Sequence, residues 1–248
     1  MQTELTILTG HSRGMGRAMA RSLLAAGHKL LGISRGRLQG LDPGAQGDLI
    51  EWQADLADGA PVAQRLQTWL QAQAVHPWRR VTLINNAGLI PAIVPLSRSQ
   101  PEDLARALRV DLETPMQLCA AFLASTANWP AQRRILNISS GLGRRAMASQ
   151  SAYCAAKAGM DHFTRCLALD EARLPNGARV CSLAPGVIDT EMQIQLRGAP
   201  EADFPDQQGF EGLHAKGMLT TPEAAAERLL AYLARPDFGQ EPVADVRG

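Results

Sequence analysis

Short apolar runs alternate with amphipathic segments along most of the chain, and this alternation predicts its secondary structure. Leu5–Thr9 is a short, mainly apolar run with the length of a buried strand, whereas the residues after Gly16 repeat their apolar positions at helical spacing. The same two patterns recur towards the carboxyl terminus. The predicted strands are Leu5–Thr9, Lys29–Ser34, Leu49–Gln53, Val81–Asn85, Arg134–Ser139, Arg179–Ala184 and Val243–Val246.

Helical periodicity occupies most of the intervals between these strands. Pro115 lacks a backbone donor, so the long helical region that contains it is predicted to be disturbed between Asp111 and Pro115. Thr221 is a suitable N-cap for the last helix, because Pro222 fits the first helical position. After the first helix, the predicted helices are Asp58–Gln73, Pro101–Ala127, Ser151–Ala172, Thr190–Leu196 and Pro222–Ala234.

Strands that are joined by helical crossovers run parallel, so the order of elements predicts an α/β fold. We expect a single-domain, doubly wound (Rossmann-type) parallel sheet of about seven strands with helices on both faces. No internal repeat or linker divides residues 1–248, and residues 189–217, rich in glycine, proline and charge, are predicted to form a substrate flap. Ligands of such sheets bind beyond the carboxyl ends of the strands, where Gly10, Asn85 and Ser140 fall.

The composition favours a cytoplasmic protein with a small-molecule partner. Apolar residues make up 46% of the 248 residues and the formal net charge is +1, so neither disorder nor attraction to nucleic acid or an anionic membrane is expected. The four cysteines and five histidines have no metal-ligand spacing, so no metal site is predicted. No signal peptide or membrane span is predicted either, since no segment reaches about 18 consecutive apolar residues.

The stretch Thr9–Gly16 lies between the first strand and the first helix and has the spacing G-x3-G-x-G. Glycines at such a turn let the backbone approach a pyrophosphate, and the helix N-terminus favours its negative charge. The second strand ends at Ser34 and Arg35, where a site for NAD would place an acidic residue. Arg13 and Arg35 are therefore predicted to converge on a 2′-phosphate and to select NADP(H), with solvated surface arginines as the alternative.

Ser140, Tyr153 and Lys157 form a second candidate site. Where the chain is helical, the i,i+4 spacing places the phenol and the ammonium group on one face. The lysine charge favours the phenolate and is expected to lower the tyrosine pKa from about 10 towards the working pH. Ser140 precedes Tyr153 by thirteen residues at the end of an apolar run, and it is placed to hydrogen-bond the same substrate oxygen. These groups predict proton transfer to or from a C–O group.

In order and spacing, these motifs resemble those of the short-chain dehydrogenase/reductase family over nearly the full chain. The resemblance implies that Ser140 holds a carbonyl oxygen, that Tyr153 is the general acid, and that Lys157 bonds the nicotinamide ribose. The implied reaction is transfer of a hydride from NADPH to the carbonyl of a small ketone or dicarbonyl. The matching segments are Thr9–Gly16 (TGxxxGxG), Asp55-Leu56, Asn85–Gly88 (NNAG), Ser140 with Tyr153 and Lys157, and Pro185-Gly186 with Thr190.

The resemblance also implies which residues contact the cofactor and how the chain assembles. A homodimer or homotetramer is expected, formed through Pro101–Ala127 and Ser151–Ala172. The implied cofactor-binding residues are Gly10, Ser12, Arg13, Gly14, Met15, Gly16, Ser34, Arg35, Asp55, Leu56, Asn86, Ala87, Gly88, Tyr153, Lys157, Pro185, Gly186, Val187, Ile188 and Thr190.

Asp111 departs from the family pattern. The family usually has an asparagine in a Val-Asn-Leu context, where this chain has Val110, Asp111 and Leu112. In the family that residue helps to place a water that passes protons to the lysine. If the main-chain carbonyl does this, Asp111 preserves the relay; if the side chain does, a carboxylate near Lys157 alters both the relay and the tyrosine pKa. Asp111 is therefore a fourth candidate catalytic residue.

Two segments resemble the sepiapterin reductase and benzil reductase branch of the family, whose members reduce adjacent dicarbonyls. They are Pro185–Gln193 and Gly217–Glu223. A general ketone or aldehyde reductase, an alcohol dehydrogenase and a 3-oxoacyl-carrier-protein reductase remain alternatives within the family, the last with Arg144 and Arg145 receiving an acidic carrier. A nonenzymatic NADP-binding sensor is the alternative of another class, and Asp111 is the feature that favours it.

Overall fold

The sheet has the predicted architecture. The computed structural model describes residues 4–40, 47–73 and 78–247, and within them seven strands form one parallel sheet in the order β3-β2-β1-β4-β5-β6-β7. The predicted doubly wound α/β fold is confirmed, with strand ends shifted by one or two residues. The strands are β1 Glu4–Thr9, β2 Lys29–Ser34, β3 Asp48–Gln53, β4 Arg80–Asn85, β5 Gln132–Ile138, β6 Arg179–Ala184 and β7 Val243–Asp245.

Helices cover both faces of this sheet. Thr221 caps the last of them as predicted, because its hydroxyl accepts a hydrogen bond from the Ala224 amide at 3.2 Å. Among the described residues, no helix is both long and apolar enough to cross a membrane. The helices are α1 Gly14–Ala25, α2 Gly59–Gln73, α3 Pro101–Leu108, α4 Thr114–Thr126, α5 Ser151–Glu171, α6 Glu191–Arg197, α7 Gln207–Ala215 and α8 Pro222–Ala234.

Two apolar cores lie on opposite faces of the sheet. Leu5 and Ile7 of β1 pack into one core with α2 and α4, whereas Leu8 packs into the other with α1 and α8. Because both faces are covered, successive strand residues are buried instead of alternating with exposed ones, and most of them are apolar. This explains why the strands are visible in the sequence as short continuous apolar runs.

The predicted disturbance of the third helical region is a π-helical turn at Arg109–Glu113, which separates α3 from α4. Pro115 follows at the start of α4 and offers no amide hydrogen to the carbonyl of Asp111, which an α-helix would require. Turns of this kind occur frequently at functional sites. Here the turn carries Asp111, which is fully buried.

The segment 189–217 contains two helices, one more than its sequence predicts. α6 is close to the predicted Thr190–Leu196, but α7 was not predicted, because Gly209 and Gly212 lower the helix propensity of its short sequence. Tertiary contact compensates for this. Phe210 of α7 stacks on the fully buried Phe204 with ring centres 5.6 Å apart.

Candidate active site

The glycine-rich loop after β1 is shaped to receive an anionic group. Gly10 and Gly14 have φ angles of +70° and +51°, a region that favours glycine. A Cβ at Gly16 would overlap the carbonyl oxygen of Gly10, so glycine permits the close return of the backbone. The loop leads directly into the N-terminus of α1, where the helix dipole and free amides favour negative charge. This backbone cradle fits a pyrophosphate.

The segment after β4, which carries the NNAG motif, is hydrogen-bonded to this loop. The Asn86 side-chain amide donates to the carbonyls of Thr9 and Gly10 at 2.9 and 3.3 Å. The backbone amides of Asn86 and Ala87 donate to the Thr9 hydroxyl at 2.9 and 3.0 Å. The NNAG motif therefore holds the start of the cradle, while Gly88 faces Asp111 and Lys157 on its other side.

Two further segments flank the cradle, as expected for the carboxyl edge of the sheet. A Cβ at Gly36 would lie 3.2 Å from the Ser12 hydroxyl, so the turn after β2 borders the loop. The Thr190 methyl group lies 3.6 Å from the Cβ position of Gly14, which brings the segment after β6 to the same place. Ser34 was proposed from the sequence as a site residue. Its hydroxyl donates a hydrogen bond to the Gly36 carbonyl at 2.7 Å and so closes the turn after β2.

The two arginines predicted to converge on a 2′-phosphate have different neighbours in this structure. The Arg13 guanidinium bonds the Glu191 carboxylate at the start of α6, and both side chains are exposed. Arg35 is also exposed, and its charge contributes to lowering the pKa of Asp55. The prediction omitted Glu191, a carboxylate distant in sequence that lies within reach of Arg13.

Asp55, which follows β3, is held in its ionised form. A hydrogen bond from the Ala57 amide and one from Arg106 lower the pKa of Asp55, with Arg35 contributing further. The distance from Arg106 Nη2 to Asp55 Oδ2 is 2.8 Å. The next residue, Leu56, is buried and belongs to the apolar core.

Tyr153 and Lys157 share one face of α5, as their spacing predicts. Both are buried, with 6% and 4% of their surface exposed, and Lys157 Nζ lies 5.5 Å from the centre of the tyrosine ring. Lys157 also donates to the Ile138 carbonyl at the end of β5 at 3.1 Å. Ser140 follows that strand and accepts a hydrogen bond from the Leu142 amide at 3.1 Å. The three groups therefore meet where β5 and α5 approach each other.

The side chain of Asp111 faces Lys157, which answers the question that the sequence left open. Lys157 Nζ and Asp111 Oδ1 are 3.1 Å apart, and the second carboxylate oxygen accepts a hydrogen bond from the Leu89 amide at 3.2 Å. A Cβ at Gly88 would come within 2.7 Å of Asp111 Oδ1. Glycine at this position leaves the space that the buried carboxylate occupies.

Burial affects Tyr153 more strongly than the lysine charge does. Desolvation raises the pKa of Tyr153 and outweighs the lowering by Lys157; Asp111 raises it further, and a hydrogen bond with Ser140 lowers it slightly. The net direction is upward, opposite to the expectation from sequence. That expectation considered the neighbouring charge and not the loss of water around the phenol.

Two residues near the site were not identified from the sequence. His11 in the glycine-rich loop is fully buried, and its Nε2 lies 2.7 Å from the Glu51 carboxylate on β3. The Met192 sulfur lies 4.0 Å from the Tyr153 hydroxyl. A glycine in the middle of β2, Gly32, was the signal for His11, because its missing side chain leaves room for the ring.

Replacing Gly32 by alanine is expected to destabilise the fold. The new Cβ would lie 2.5 Å from ring carbons of His11, and the buried ring cannot move without breaking its contact with Glu51. Overpacking of this kind costs about 1–3 kcal/mol, measurable as a lower free energy of unfolding in urea. Gly209→Ala in α7 is the control, because no atom lies within 4 Å of its Cβ position. Equal stability of the two variants would contradict the expected clash.

Other charged candidates from the sequence are engaged in structural contacts. Arg144 lies 3.3 Å from Asp161 and donates to the Ala244 carbonyl at 2.6 Å, and both it and Arg145 are exposed. Within the described ranges, no group of three or more His, Cys, Asp or Glu side chains is arranged to hold a metal ion.

Comparison with known proteins establishes the family. A family model described as short chain dehydrogenase matches residues 4–201. The chain belongs to the short-chain dehydrogenase family. Members of this family are oxidoreductases that bind nicotinamide cofactors, so the oxidoreductase class predicted from the motifs is confirmed.

The similarity of this short-chain dehydrogenase to individual proteins extends over most of the chain. It is 31% identical to benzil reductase ((S)-benzoin forming) of Bacillus cereus over 237 residues, covering 94% of this chain and 95% of that protein. It is 31% identical to sepiapterin reductase of Xenopus laevis over 244 residues, covering 92% and 90%. The crystal structure of a Burkholderia vietnamiensis short-chain dehydrogenase/reductase superposes with a TM-score of 0.67 at 35% identity, covering 99% and 98%. The resemblance to the sepiapterin and benzil reductase branch is thus confirmed.

Proposed function

We propose that this enzyme is an NADPH-dependent reductase that acts on the carbonyl of a small ketone or dicarbonyl, with Tyr153 as the proton donor. The observation that carries the proposal is the group formed by the half-buried Ser140 and the buried Tyr153 and Lys157 beside the glycine cradle. A proton donor and an anion cradle at one edge of a parallel sheet suit a reduction that uses a dinucleotide.

The residues around the cradle fit a nicotinamide dinucleotide. The left-handed backbone of Gly10 and Gly14 and the missing side chain at Gly16 leave the space that a pyrophosphate needs. When bound, the cofactor supplies the hydride; the chain supplies orientation and the proton. The residues proposed to hold it are Gly10, Ser12, Arg13, Gly14, Met15, Gly16, Ser34, Arg35, Asp55, Leu56, Asn86, Ala87, Gly88, Tyr153, Lys157, Pro185, Gly186, Val187, Ile188 and Thr190.

The chain's own groups account for the proton transfer. The Tyr153 hydroxyl donates its proton to the carbonyl oxygen of the substrate, while the Ser140 hydroxyl holds and polarises that oxygen. Lys157 orients the phenol from the next turn of α5. Met192 of α6 lies beside the Tyr153 hydroxyl, so we place the substrate between Tyr153 and residues 189–217, which exclude water from the reacting atoms.

Arg35 is proposed to select NADPH by binding its 2′-phosphate. Charge-assisted hydrogen bonds of a guanidinium contribute about 1.5–3 kcal/mol, so Arg35→Ala is expected to weaken NADPH binding about tenfold or more and to leave NADH binding unchanged. Titration calorimetry with both cofactors measures this. Arg37→Ala is the matched control, because Arg37 is exposed on the same turn and bonds Gln53 at 3.4 Å. Equal affinities of the parent for the two cofactors would refute the assignment.

The named activities of the relatives support a dicarbonyl as substrate. Two relatives aligned over nearly the whole chain are named as a benzil reductase and a sepiapterin reductase. The test is NADPH oxidation by the purified chain with benzil, with sepiapterin and with a monoketone of similar size. Oxidation that depends on the dicarbonyl supports the proposal. Cofactor binding without reduction of any of the three would favour the nonenzymatic sensor.

Assembly into a homodimer or homotetramer is proposed for the surface formed by α3, α4 and α5. Leu108, Met116 and Leu169 on these helices have 40%, 41% and 72% of their surface exposed. Burying such side chains against a second copy is favourable. Light scattering gives the mass that decides between the two assemblies.

A further inference from the structure

Asp111 and Lys157 form an ion pair that is almost completely shielded from water. The side chains are 0% and 6% exposed, and their charged atoms are 3.1 Å apart. Burial raises the pKa of Asp111, while the Lys157 ammonium and the Leu89 amide oppose this effect. Whether the proton rests on the ammonium or on the carboxylate, the pair has no net charge. Tyr153, on the next turn of α5, therefore faces a neutral pair instead of a free cation.

The fold is built to keep this carboxylate in place. The π-helical turn Arg109–Glu113 directs Asp111 towards α5, and the absence of a side chain at Gly88 leaves the space for its Oδ1 atom. The Leu89 amide holds the other oxygen. The adjacent residues Gly88 and Leu89 thus enclose the buried carboxylate from one side and Lys157 of α5 from the other, and such a group is costly to bury unless it is paired.

The other titratable groups near the pair, Asp161 and Cys154, do not supply a second unpaired charge. Asp161, one turn beyond Lys157 on α5, accepts hydrogen bonds from two serine hydroxyls and pairs with Arg144 at 3.3 Å. The thiol of Cys154 is neutral near pH 7, because burial raises its pKa. Among the described residues, the Asp111 carboxylate alone lies within ion-pair distance of the Lys157 ammonium group.

We propose that Asp111 is a positioning residue that offsets the charge of Lys157 and, together with the burial of the phenol, favours the protonated form of Tyr153, the proton donor of the site. This inference rests on the proposed function, since proton donation is the step that carbonyl reduction needs. A nearby free cation would favour the phenolate, which is the base needed for alcohol oxidation. Asp111 thereby moves to higher pH the range in which Tyr153 can act as a base, without changing the equilibrium of the reaction.

The protonation of Tyr153 can be measured without turnover by labelling the tyrosines. The chain has two of them, so one substitution leaves Tyr153 alone. In a Tyr232→Phe background, protein grown with [13C-ζ]tyrosine gives one signal, whose chemical shift reports ionisation of Tyr153. The titration runs from about pH 8 to about pH 12, because burial raises the pKa of Tyr153 above the unperturbed tyrosine value. Adding Asp111→Asn, which is nearly isosteric, is expected to lower the midpoint by about one pH unit or more.

Glu113→Gln is the matched control. Glu113 belongs to the same π-helical turn, but it is exposed and bonds Gln117 at 3.0 Å, so its replacement should leave the midpoint of Tyr153 unchanged. Asp111→Ser provides a second variant without the charge if the asparagine variant does not fold. In the enzyme with NADP, alcohol oxidation by Asp111→Asn should reach half of its maximum at a correspondingly lower pH.

The outcomes separate the inference from the function on which it rests. Coincident midpoints in the parent and in Asp111→Asn, or an equal shift in Glu113→Gln, overturn the role of Asp111 and leave the reductase assignment intact. A lower midpoint in Asp111→Asn alone supports that role. Failure of the parent to reduce any carbonyl overturns the proposed function, whereas the titration still reports whether Asp111 controls Tyr153.

Discussion

Tyr153→Phe is expected to reduce carbonyl reduction by about 10²–10⁴-fold while cofactor affinity stays within about twofold of the parent, because it removes only a general acid. The phenylalanine ring keeps the packing of a side chain that is 6% exposed, so stability should change little. The hydroxyl contacts the Met192 sulfur at 4.0 Å, a weak interaction whose loss costs little. Initial rates of NADPH oxidation with benzil, together with calorimetric cofactor binding, measure both quantities.

Tyr232→Phe is the control for this experiment. Tyr232 lies on α8, packs its ring at 6.2 Å from that of Phe238, has Cys181 beside its hydroxyl, and is not among the proposed site residues. It loses the same hydroxyl group and should keep parental rates. Full activity of Tyr153→Phe would contradict the assignment of the proton donor, and equal losses in both variants would indicate a general effect of removing a phenol.

The fold was predictable because local signals in the sequence agree with the tertiary structure. Leu5, Ile7 and Leu8 of β1 are buried because both faces of the sheet are covered, and Pro115 marks the end of a regular helix through its missing donor. α7 escaped prediction because its stability depends on Phe204, which lies outside the helix and supplies a stacking partner. Sequence periodicity records the residues of a helix and not the surface against which it packs.

The candidate site was predictable as a set of residues, but not as a set of interactions. The i,i+4 spacing of Tyr153 and Lys157 places them on one helical face. The partners of Lys157 and Arg13 come from distant segments, namely Asp111 and Glu191, and no spacing rule specifies them. Burial is the other missing quantity, since it reverses the direction in which the tyrosine pKa was expected to move.

Lys157→Met is expected to lower both activity and stability, because it leaves Asp111 as a buried carboxylate without its counter-charge. Removing one partner of a buried pair costs about 3–5 kcal/mol of unfolding free energy. The variant also loses the ammonium that orients Tyr153, so reduction should fall at least as far as in Tyr153→Phe. Urea unfolding and initial rates measure the two effects separately.

The pH dependence of this stability loss identifies Asp111 as its cause. Without the lysine, burial holds the pKa of Asp111 above its unfolded value of about 3.9, so the folded state binds the proton more tightly than the unfolded state. The penalty is therefore full above the raised pKa and shrinks as the pH falls towards about 4. Lys157→Met with Asp111→Asn should regain most of the stability at neutral pH and none of the activity, because a neutral amide needs no counter-charge. A double variant as unstable as Lys157→Met would show that lost packing around the lysine stem, and not the unpaired charge, accounts for the effect.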